Sequence, residues 1–596
     1  MANTLMSWYE RELSFLYAEA RAFAEEHPQL ASHLGVSYDS VSDPHVARLL
    51  ESFALINARL SRQLAEGSTQ LSGSLLNIVF PMCLQSLPST SMIQIAPSKE
   101  QPQVATLPSG TRFRAYVNKD QFCLFRTTRD MQLCPFDIVD HQFESRPFVL
   151  SDIDYPESST ALLKLELAML DESRSFSNLS PFSEVTIHFQ GLARHQAQMY
   201  DYLMRHRCQM VLANGSEQQV TLSMGQFAAV GFTGRDSMIT HDNCTFLDYQ
   251  MMLELFAWPE LFFGFRLLDI GNALRQFACQ RVTLLLFLED TVDEQVATLS
   301  SIRYSLGCAP VINLFEHIAE PVVVDHRQLS YQLVPDTHSA NTLEVQSVQK
   351  VLDITGEQPE LLPPLYGLKH NDTEHNRFWL YHPPETDSDA CGQLSVVYPE
   401  LQMNKNQTMV LSPHLICNNG MQVLELPDNP RLECLDSIAL PVAAKMIMRP
   451  TARIRRKQNI KNRLNLLVHL KGAFTSVLQG RDPAGDLRTL MYVYCLRNNS
   501  VSTAWLDSLV QMQPRPLVAP LRISGHQCFT QGIELIIELD PSRLKQVSIM
   551  MFVNLIDFMV AGYAGYHSFI EVVIRLKGDS GDYMRCTRRH GYQINR

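Results

Sequence analysis

The stretch from Ala309 to Asp336 reads APVINLFEHIAEPVVVDHRQLSYQLVPD and indicates how the middle of the chain folds. It contains two apolar runs, VINLF at 311–315 and VVV at 322–324, and an alternating run that Pro335 closes. Short runs of this kind, rich in β-branched residues and bounded by proline, are typical of strands in a core. The stretch is therefore predicted to be a central core segment, and it contains no catalytic constellation.

Length and composition describe a large folded protein. A chain of 596 residues is expected to contain about three or four domains. Hydrophobic residues make up 45% of the chain and charged residues 19%, which supports packed cores and argues against extended disorder. The formal net charge of −12 argues against a surface devoted to nucleic acid or anionic lipid.

Cysteine usage and the apolar windows indicate a location inside the cell. Thirteen scattered cysteines without a CxxC pair fit reduced thiols better than a secreted disulfide framework. The N-terminus is charged and helical in pattern, and it lacks the apolar core of a signal peptide. The most apolar window, 549–566, is interrupted by Asn554 and Asp557, so direct membrane insertion is not expected.

The first ninety residues have the pattern of amphipathic helices. Apolar residues recur at steps of three and four from Leu5 to Glu26, and again after Asp43, which can cap a helix that has Pro44 in its first turn. A third, shorter helix is predicted from Leu71 to Phe80. These apolar faces must be buried against one another or against another chain. The residues predicted to bind a partner are Leu5, Trp8, Leu13, Leu16, Leu49, Phe53 and Leu60.

After residue 91 the period changes from helical to alternating. TRFRAYV at 111–117 places Phe113 and Ala115 opposite Arg112 and Arg114, as in a half-buried strand. The last 150 residues mix helices with strands, among them a helix predicted to begin at Asp540 and to be apolar on nearly every side. The predicted fold class is α+β multidomain. It has a helical segment at 1–90, β-rich regions at 91–300 and 301–440, and a mixed α/β C-terminal domain at 441–596.

Candidate chemistry in the sequence is weak. GDSG at 578–581 resembles a serine-protease nucleophile loop, but small turn-forming residues after a strand favour a hairpin turn. HNDTEH at 370–375, with His382 nearby, is the only dense group of possible metal ligands, and it has the composition of a polar loop. Asn554 and Asp557 favour a buried polar pair with partners on a neighbouring element over an acid–base pair. No cofactor and no metal are expected.

The stretch RPTARIRRKQNIKNR at 449–463 is basic and has no acidic residue. It can serve as a docking strip for an acidic protein surface, as a solvated loop, or as a nucleic-acid contact, and the lack of aromatic residues argues against the last of these. We favour the docking strip. Its predicted contact residues are Arg453, Arg455, Arg456 and Lys457.

Several segments resemble, in the same order, the TssF (ImpG/VasA) family of the bacterial type VI secretion system. They include WYERELSFL at 8–16, DPHVARLLESFALINARL at 43–60, LPSGTRFRA at 107–115, the central stretch, and GIELIIELD at 532–540. The resemblance implies a structural baseplate subunit without enzymatic activity, similar to phage baseplate wedge proteins.

The resemblance also implies a set of partners. They are a TssG-like subunit, a second copy of the chain, TssK-like and TssE-like subunits, and the spike, sheath and tube, with no nucleic acid among them. The implied location is the cytoplasm, docked at the membrane-anchored secretion complex. The alternative from the residues alone is a hydrolase, or a module on the β-rich domains that binds carbohydrate or nucleic acid.

Overall fold

The computed structural model describes a large part of the chain, in segments. These are residues 5–33, 43–79, 85–96, 101, 103–150, 153–215, 218–233, 236–239, 247–290, 293–337, 342–366, 377–384, 391–398, 408–436, 443–455, 480–496, 500–523, 526–562, 564, 568–579 and 581–590. Their helices are α1 (Leu5–Glu26), α2 (Pro28–His33), α3 (Pro44–Val79), α4 (Ala193–Arg205), α5 (Leu247–Ala257), α6 (Ile270–Leu274), α7 (Asp293–Leu299), α8 (Pro483–Tyr492), α9 (Ser500–Ser508) and α10 (Ile549–Ala561).

The strands of the first half are β1 (Thr90–Ala96), β2 (Ala105–Leu107), β3 (Arg112–Tyr116), β4 (Phe122–Thr127), β5 (Met131–Leu133), β6 (Phe136–Ser145), β7 (Ala161–Met169), β8 (Glu184–Gln190), β9 (Arg207–Asn214), β10 (Gln218–Leu222), β11 (Phe227–Ala229), β12 (Gly264–Leu268), β13 (Arg281–Leu288) and β14 (Arg303–Ser305). Those of the second half are β15 (Cys308–Ile312), β16 (Phe315–Ile318), β17 (Val322–Val324), β18 (Tyr331–Gln332), β19 (Glu344–Asp353), β20 (Glu360–Leu362), β21 (Phe378–His382), β22 (Gln393–Val397), β23 (Met409–Asn418), β24 (Leu432–Cys434), β25 (Ala443–Met446), β26 (Leu509–Ile523), β27 (His526–Leu539), β28 (Ser568–Leu576), β29 (Asp582–Arg585) and β30 (Arg589–His590).

The described residues fall into two compact units, one up to residue 79 and one from residue 85 onward. The first, here called the helical unit, contains α1, α2 and α3. The second, here called the β body, contains all the strands. The predicted fold class, with a helical segment followed by β-rich regions and a mixed C-terminal part, is confirmed.

The helical unit begins as predicted and then differs from the prediction. The Asp43 carboxylate accepts a hydrogen bond from the His45 N–H at 2.8 Å, so it caps α3. The prediction of a separate helix from residue 71 is wrong, because α3 continues unbroken for 36 residues to Val79. Gly67 and Gly73 each weaken a helix by about 1 kcal/mol but, unlike proline, they keep every backbone hydrogen bond.

The central stretch supplies strands to three different sheets of the β body. β15 pairs with β1 and β4, β16 and β17 pair with β23, and β18 pairs with β22. Val311, Ile312 and Leu314 are 3% exposed or less. The prediction of a core segment at mid-chain is therefore confirmed, and the stretch connects sheets that otherwise draw on distant parts of the chain.

The sheets of the β body are antiparallel except at one pair of strands. The strand orders are β24-β3-β4-β15-β1-β25, β10-β9-β13-β7-β6, β11-β12-β8-β14, β16-β23-β19-β20 with β17 beside β23, β18-β22-β21, β2-β5, and β26-β27-β28-β29 with β30 beside β28. The parallel pair is β27 with β28. The first of these sheets takes β1, β15 and β25 from three segments predicted as separate domains, so those segments share a core. The exact boundaries at 300 and 440 stay predictions.

The C-terminal sheet is covered by α10, which starts later than predicted. The Asp540 carboxylate caps only a short 3-10 turn at Pro541–Arg543, and α10 begins at Ile549 after Ser548. Asn554 donates to the Tyr200 hydroxyl at 3.0 Å, and Asp557 lies 2.6 Å from the Arg589 guanidinium. Both polar residues thus have partners on other elements, which agrees with the polar-pair interpretation.

Helix α4 joins the middle of the β body to α10 through one carboxylate. Asp201 accepts hydrogen bonds from the N–H groups of Ile549 at 3.0 Å and Met550 at 2.9 Å, and from the Ser548 hydroxyl. These donors belong to the first turn of α10, where free N–H groups and the helix dipole favour an anion. Burial nevertheless raises the pKa of Asp201 to about 6.

Candidate partner-binding interface

The two long helices of the helical unit contact each other through small side chains. Ala54 and Ala58 of α3 are fully buried, and alanine allows two helix axes to approach closely. The Ser61 hydroxyl donates to the Glu12 carboxylate at 3.2 Å, while Met6 and Ser52 line a groove near the start of both helices. α1 and α3 therefore run in the same direction.

The opposite side of α3 carries a row of large apolar side chains that nothing in the described part of the chain covers. We call this row the α3 stripe. It consists of Leu49, Phe53, Ile56, Leu60 and Leu64. Each of the five is between 55% and 68% exposed. Their spacing of four, three, four and four residues keeps them on one face of a helix with 3.6 residues per turn.

The partner-binding residues predicted on α1 occupy a different position from those predicted on α3. Leu5, Trp8, Leu13 and Leu16 are half-buried on the side of α1 that contacts α3, whereas Leu49, Phe53 and Leu60 are exposed. No residue of α1, all of which are described, is buried. A helix of 22 residues whose apolar face is only half covered leaves room for further helices, and partner binding by both sets stays a prediction.

A shallow groove runs along the seam between α1 and α3. It is lined by Leu5, Met6, Tyr9, Glu51, Ser52 and Leu55. The lining is mostly apolar, and the Glu51 carboxylate is its one acidic group. The groove adds apolar surface on a second side of the helical unit, so the α3 stripe is not the unit's only open apolar region.

The basic stretch is engaged within the chain where it is described. Arg453 and Arg455 lie 2.9 Å and 3.3 Å from the two oxygens of Glu344, and all three side chains are at most 20% exposed. Arg449 pairs with Asp428 at the surface. Arg456 and Lys457 lie outside the described residues. The docking strip stays a prediction, and two of its members now have a structural role.

Charge reversal at Arg455 is expected to destabilise the β body. Arg455→Glu places a second carboxylate beside Glu344 in a half-buried site, at a cost of about 3 kcal/mol. The charge-swapped variant Arg455→Glu/Glu344→Arg again has two cations and one carboxylate, as in the native triad of Arg453, Arg455 and Glu344. Its melting temperature should therefore return toward that of the native chain. If the swapped variant regains stability yet still fails to co-purify with other subunits, Arg455 is a docking residue as well.

The other candidate chemistry does not form a reactive site among the described residues. Gly578 adopts a positive φ in the turn between β28 and β29, as expected of a hairpin, while Ser580 lies outside the described residues. HNDTEH also lies outside them, and His382 contacts the Ser395 hydroxyl at 3.1 Å. The described residues contain no group of three or more His, Cys, Asp and Glu side chains that could hold a metal ion.

A buried glutamate in the β body is engaged by its own chain. Glu254 of α5 accepts from the N–H groups of Met238 at 2.9 Å and Ile239 at 3.2 Å, and from the Ser237 hydroxyl at 2.9 Å. Burial raises its pKa. A carboxylate whose oxygens are occupied in this way fixes a loop to a helix, and it has no access to a substrate.

Sequence reasoning missed one member of the α3 stripe and one long strand. Ile56 fits the same spacing as Leu49, Leu60 and Leu64, so extending the period along the helix would have found it. β26 contains three prolines, which argue against a strand in sequence-based prediction. The common direction of α1 and α3 depends on tertiary contacts, and no local signal in the sequence indicates it.

A helical unit with an open apolar stripe, together with a β body without a described reactive site, is the architecture of an assembly subunit. The chain belongs to the TssF family of the type VI secretion system, since the sequence profile of that family matches residues 1–593. The resemblance seen in the sequence is thereby confirmed.

Individual relatives agree with the family assignment. The chain is 22% identical to the type VI secretion system component TssF1 of Pseudomonas aeruginosa, over the full length of both proteins. Its fold is similar to a chain of the TssK-TssF-TssG baseplate subcomplex, with a TM-score of 0.70, 19% identity, and coverage of 91% of this chain and 99% of the other. A chain of the type VI secretion baseplate complex matches with a TM-score of 0.53, 17% identity, and coverage of 98% and 99%.

Among the described residues, no helix is long and apolar enough to cross a membrane.

Proposed function

We propose that this chain is a structural subunit of the type VI secretion baseplate wedge that works through shape and binding, without a chemical reaction. In this role it binds a TssG-like subunit and a second copy of itself, and it supports assembly of the contractile tail for effector delivery. The observation that carries the proposal is the α3 stripe, because five large apolar side chains on one face of a helix form a surface that water does not favour.

The helical unit is the part proposed to make the central contact. Burying a leucine or phenylalanine side chain contributes about 1.5–3 kcal/mol, so the α3 stripe can supply several kcal/mol to a bundle with partner helices. The spacing of the stripe is close to the heptad pattern that packs knobs into holes. Leu5, Trp8, Leu13 and Leu16 then complete the bundle from the side of α1, with Arg453, Arg455, Arg456 and Lys457 as a second contact.

The remaining partners follow from the relatives. The subcomplex that matches this fold contains TssK and TssG by its description, and TssK-like and TssG-like subunits are accordingly proposed as direct partners here. TssE-like, spike, sheath and tube components are proposed as further neighbours in the assembled baseplate. The proposed location is the cytoplasm, where the baseplate docks at the membrane-anchored secretion complex.

Co-expression tests the proposal. The chain is produced with the TssG-like and TssK-like proteins of the same bacterium, and the mass of the purified complex is measured by light scattering. We expect a complex containing two copies of this 67.7 kDa chain for each TssG-like subunit. Recovery of the chain as a monomer free of both proteins, at low and at moderate salt, would contradict the proposal.

A further inference from the structure

β26 is a long strand at the open edge of the C-terminal sheet. It is 15 residues long, and within the described part of the chain it pairs with β27 alone, while β28, β29 and β30 lie on the far side of β27. Other edge strands among the described residues are two to five residues long, apart from β6 with ten. β6 carries three acidic residues and a bulge near Asp140, which are usual protections of an edge. β26 has neither short length nor acidic residues.

The prolines of β26 have a regular position. Pro514, Pro516 and Pro520 pair with Leu535, Ile533 and Phe529 of β27. A proline has no N–H to donate, so within a paired strand it occupies the positions whose nitrogen points away from the partner. The three prolines are separated by even numbers of residues, and all three nitrogens therefore face the open edge.

These prolines remove the donors that an additional strand would need. Between residues 514 and 522 only Val518 and Arg522 can still donate outward, and a proline lies between them. In an antiparallel pair, every second residue of the edge strand both donates and accepts a hydrogen bond. An added strand therefore finds no two successive outward-facing residues with an N–H along this part of β26. The proline rings also occupy the space where the incoming backbone would lie.

The surface beside this edge would otherwise attract a second strand. Val518 is 62% exposed and Phe529 is 81% exposed. Phe529 pairs with Pro520, and Val518 lies two residues before Pro520 on the same strand, so the side chains of Val518 and Phe529 lie on the same face of the hairpin. A long exposed edge flanked by apolar side chains is the usual template for association between identical chains. A second copy of this chain presents the same edge, and two antiparallel copies of β26 are complementary in length.

We propose that Pro514, Pro516 and Pro520 prevent edge-to-edge pairing of β26 between two copies of this chain. The partner that this surface fits is a second copy, and the prolines keep that contact from forming. Two copies that other surfaces hold close together therefore do not add β26 strands to each other's sheets. The inference concerns the C-terminal sheet alone and stands apart from the proposed function.

Replacing the prolines tests the inference in the full-length chain. Pro514→Thr/Pro516→Thr restores three consecutive outward donors at 514, 516 and 518, and the triple variant with Pro520→Thr restores the whole edge. We expect the apparent mass of both variants to rise by about twofold or more with concentration, as expected for symmetric pairing. Amide hydrogen exchange at 514–522 should slow as the mass rises.

Matched variants separate edge pairing from other causes. Gln511→Thr/Gln513→Thr/Arg515→Thr introduces as many threonines at positions whose N–H points toward β27. The ion pair it removes, between the exposed Arg515 side chain and Glu534, is long at 3.9 Å, and Glu534 keeps Arg585 as a partner at 2.9 Å. Its mass should equal that of the native chain. Adding Val518→Lys to the triple variant should abolish the association, because an edge lysine opposes pairing.

All of these variants share the same helical unit, so any self-association through the α3 stripe is common to them and cancels in the comparison. The inference is overturned if the double and triple proline variants keep the native melting temperature and also keep the native dependence of mass on concentration. It is also overturned if the threonine control associates as strongly as the proline variants do.

Discussion

The variant Leu49→Asp/Leu60→Asp is expected to lose co-purification with the TssG-like subunit while the chain itself stays folded. Both side chains lie in the α3 stripe, where Leu49 is 60% exposed and Leu60 is 55% exposed, so aspartate at either position is solvated in the free chain. In a packed bundle each carboxylate would be desolvated without a partner. We expect the dissociation constant to rise by about 100-fold or more, which corresponds to about 2.7 kcal/mol.

The control for this prediction changes the net charge of the same helix by the same amount at other positions. Arg48→Gln/Arg59→Gln removes two positive charges from exposed positions outside the stripe, which matches the change in net charge made by the two aspartates. Binding is measured by pull-down and by calorimetry, with circular dichroism to check helix content. Equal affinities for the aspartate variant and the native chain would remove the stripe from the interface. Equal losses in both variants would assign the effect to net charge.

The variant Asp201→Ala is expected to destabilise the β body by about 3 kcal/mol. It removes the acceptor for the Ile549 and Met550 N–H groups and for the Ser548 hydroxyl, which lie at the buried start of α10. An unsatisfied buried donor costs about 1–3 kcal/mol, and loss of a helix cap costs about 1 kcal/mol. Denaturant unfolding followed by circular dichroism measures the change, and Asp201→Asn, which keeps one acceptor oxygen, should lose less.

The pH dependence of the stability of the native chain, compared with that of Asp201→Asn, provides a second check on Asp201. Burial raises the pKa of Asp201 from 3.8 to about 6, so the folded chain holds the proton more tightly than the unfolded chain. Protonation therefore stabilises the fold, and this contribution is present below about pH 4 and is lost as the pH rises through about 6. The stability of the native chain relative to Asp201→Asn should fall over that window. Parallel curves from pH 4 to 7 would show that Asp201 is not buried at the joint.

Local patterns in the sequence predicted much of the fold. The cap at Asp43, the period of α1, the alternation at Phe113 and Ala115, and the apolar runs of the central stretch are all present as predicted. In each case the signal lies within a few residues of the chain and acts within one helix or strand. The exposed members of the α3 stripe belong to the same group, since helix period alone places Leu49, Phe53 and Leu60 on one face.

Other features depend on competition between local signals and tertiary contacts. The pattern predicted a separate helix from Leu71, but α3 is one continuous helix, and its backbone hydrogen bonding outweighs the low propensity of the glycines at 67 and 73. The sequence signal for a helix start at Asp540–Pro541 corresponds to a short 3-10 turn, and the residue that caps α10 is Ser548. The role of Arg453 and Arg455 depends on Glu344, more than a hundred residues earlier in the chain, and no local pattern indicates that pairing.

Assembly through the helical unit requires that another polypeptide chain bury the α3 stripe. Electron cryo-microscopy of the complex purified with the TssG-like subunit tests this most directly, at a resolution that shows side chains. We expect helices of the TssG-like subunit or of a second copy to cover Leu49, Phe53 and Leu60. A complete complex in which these three side chains remain open to solvent would contradict the account.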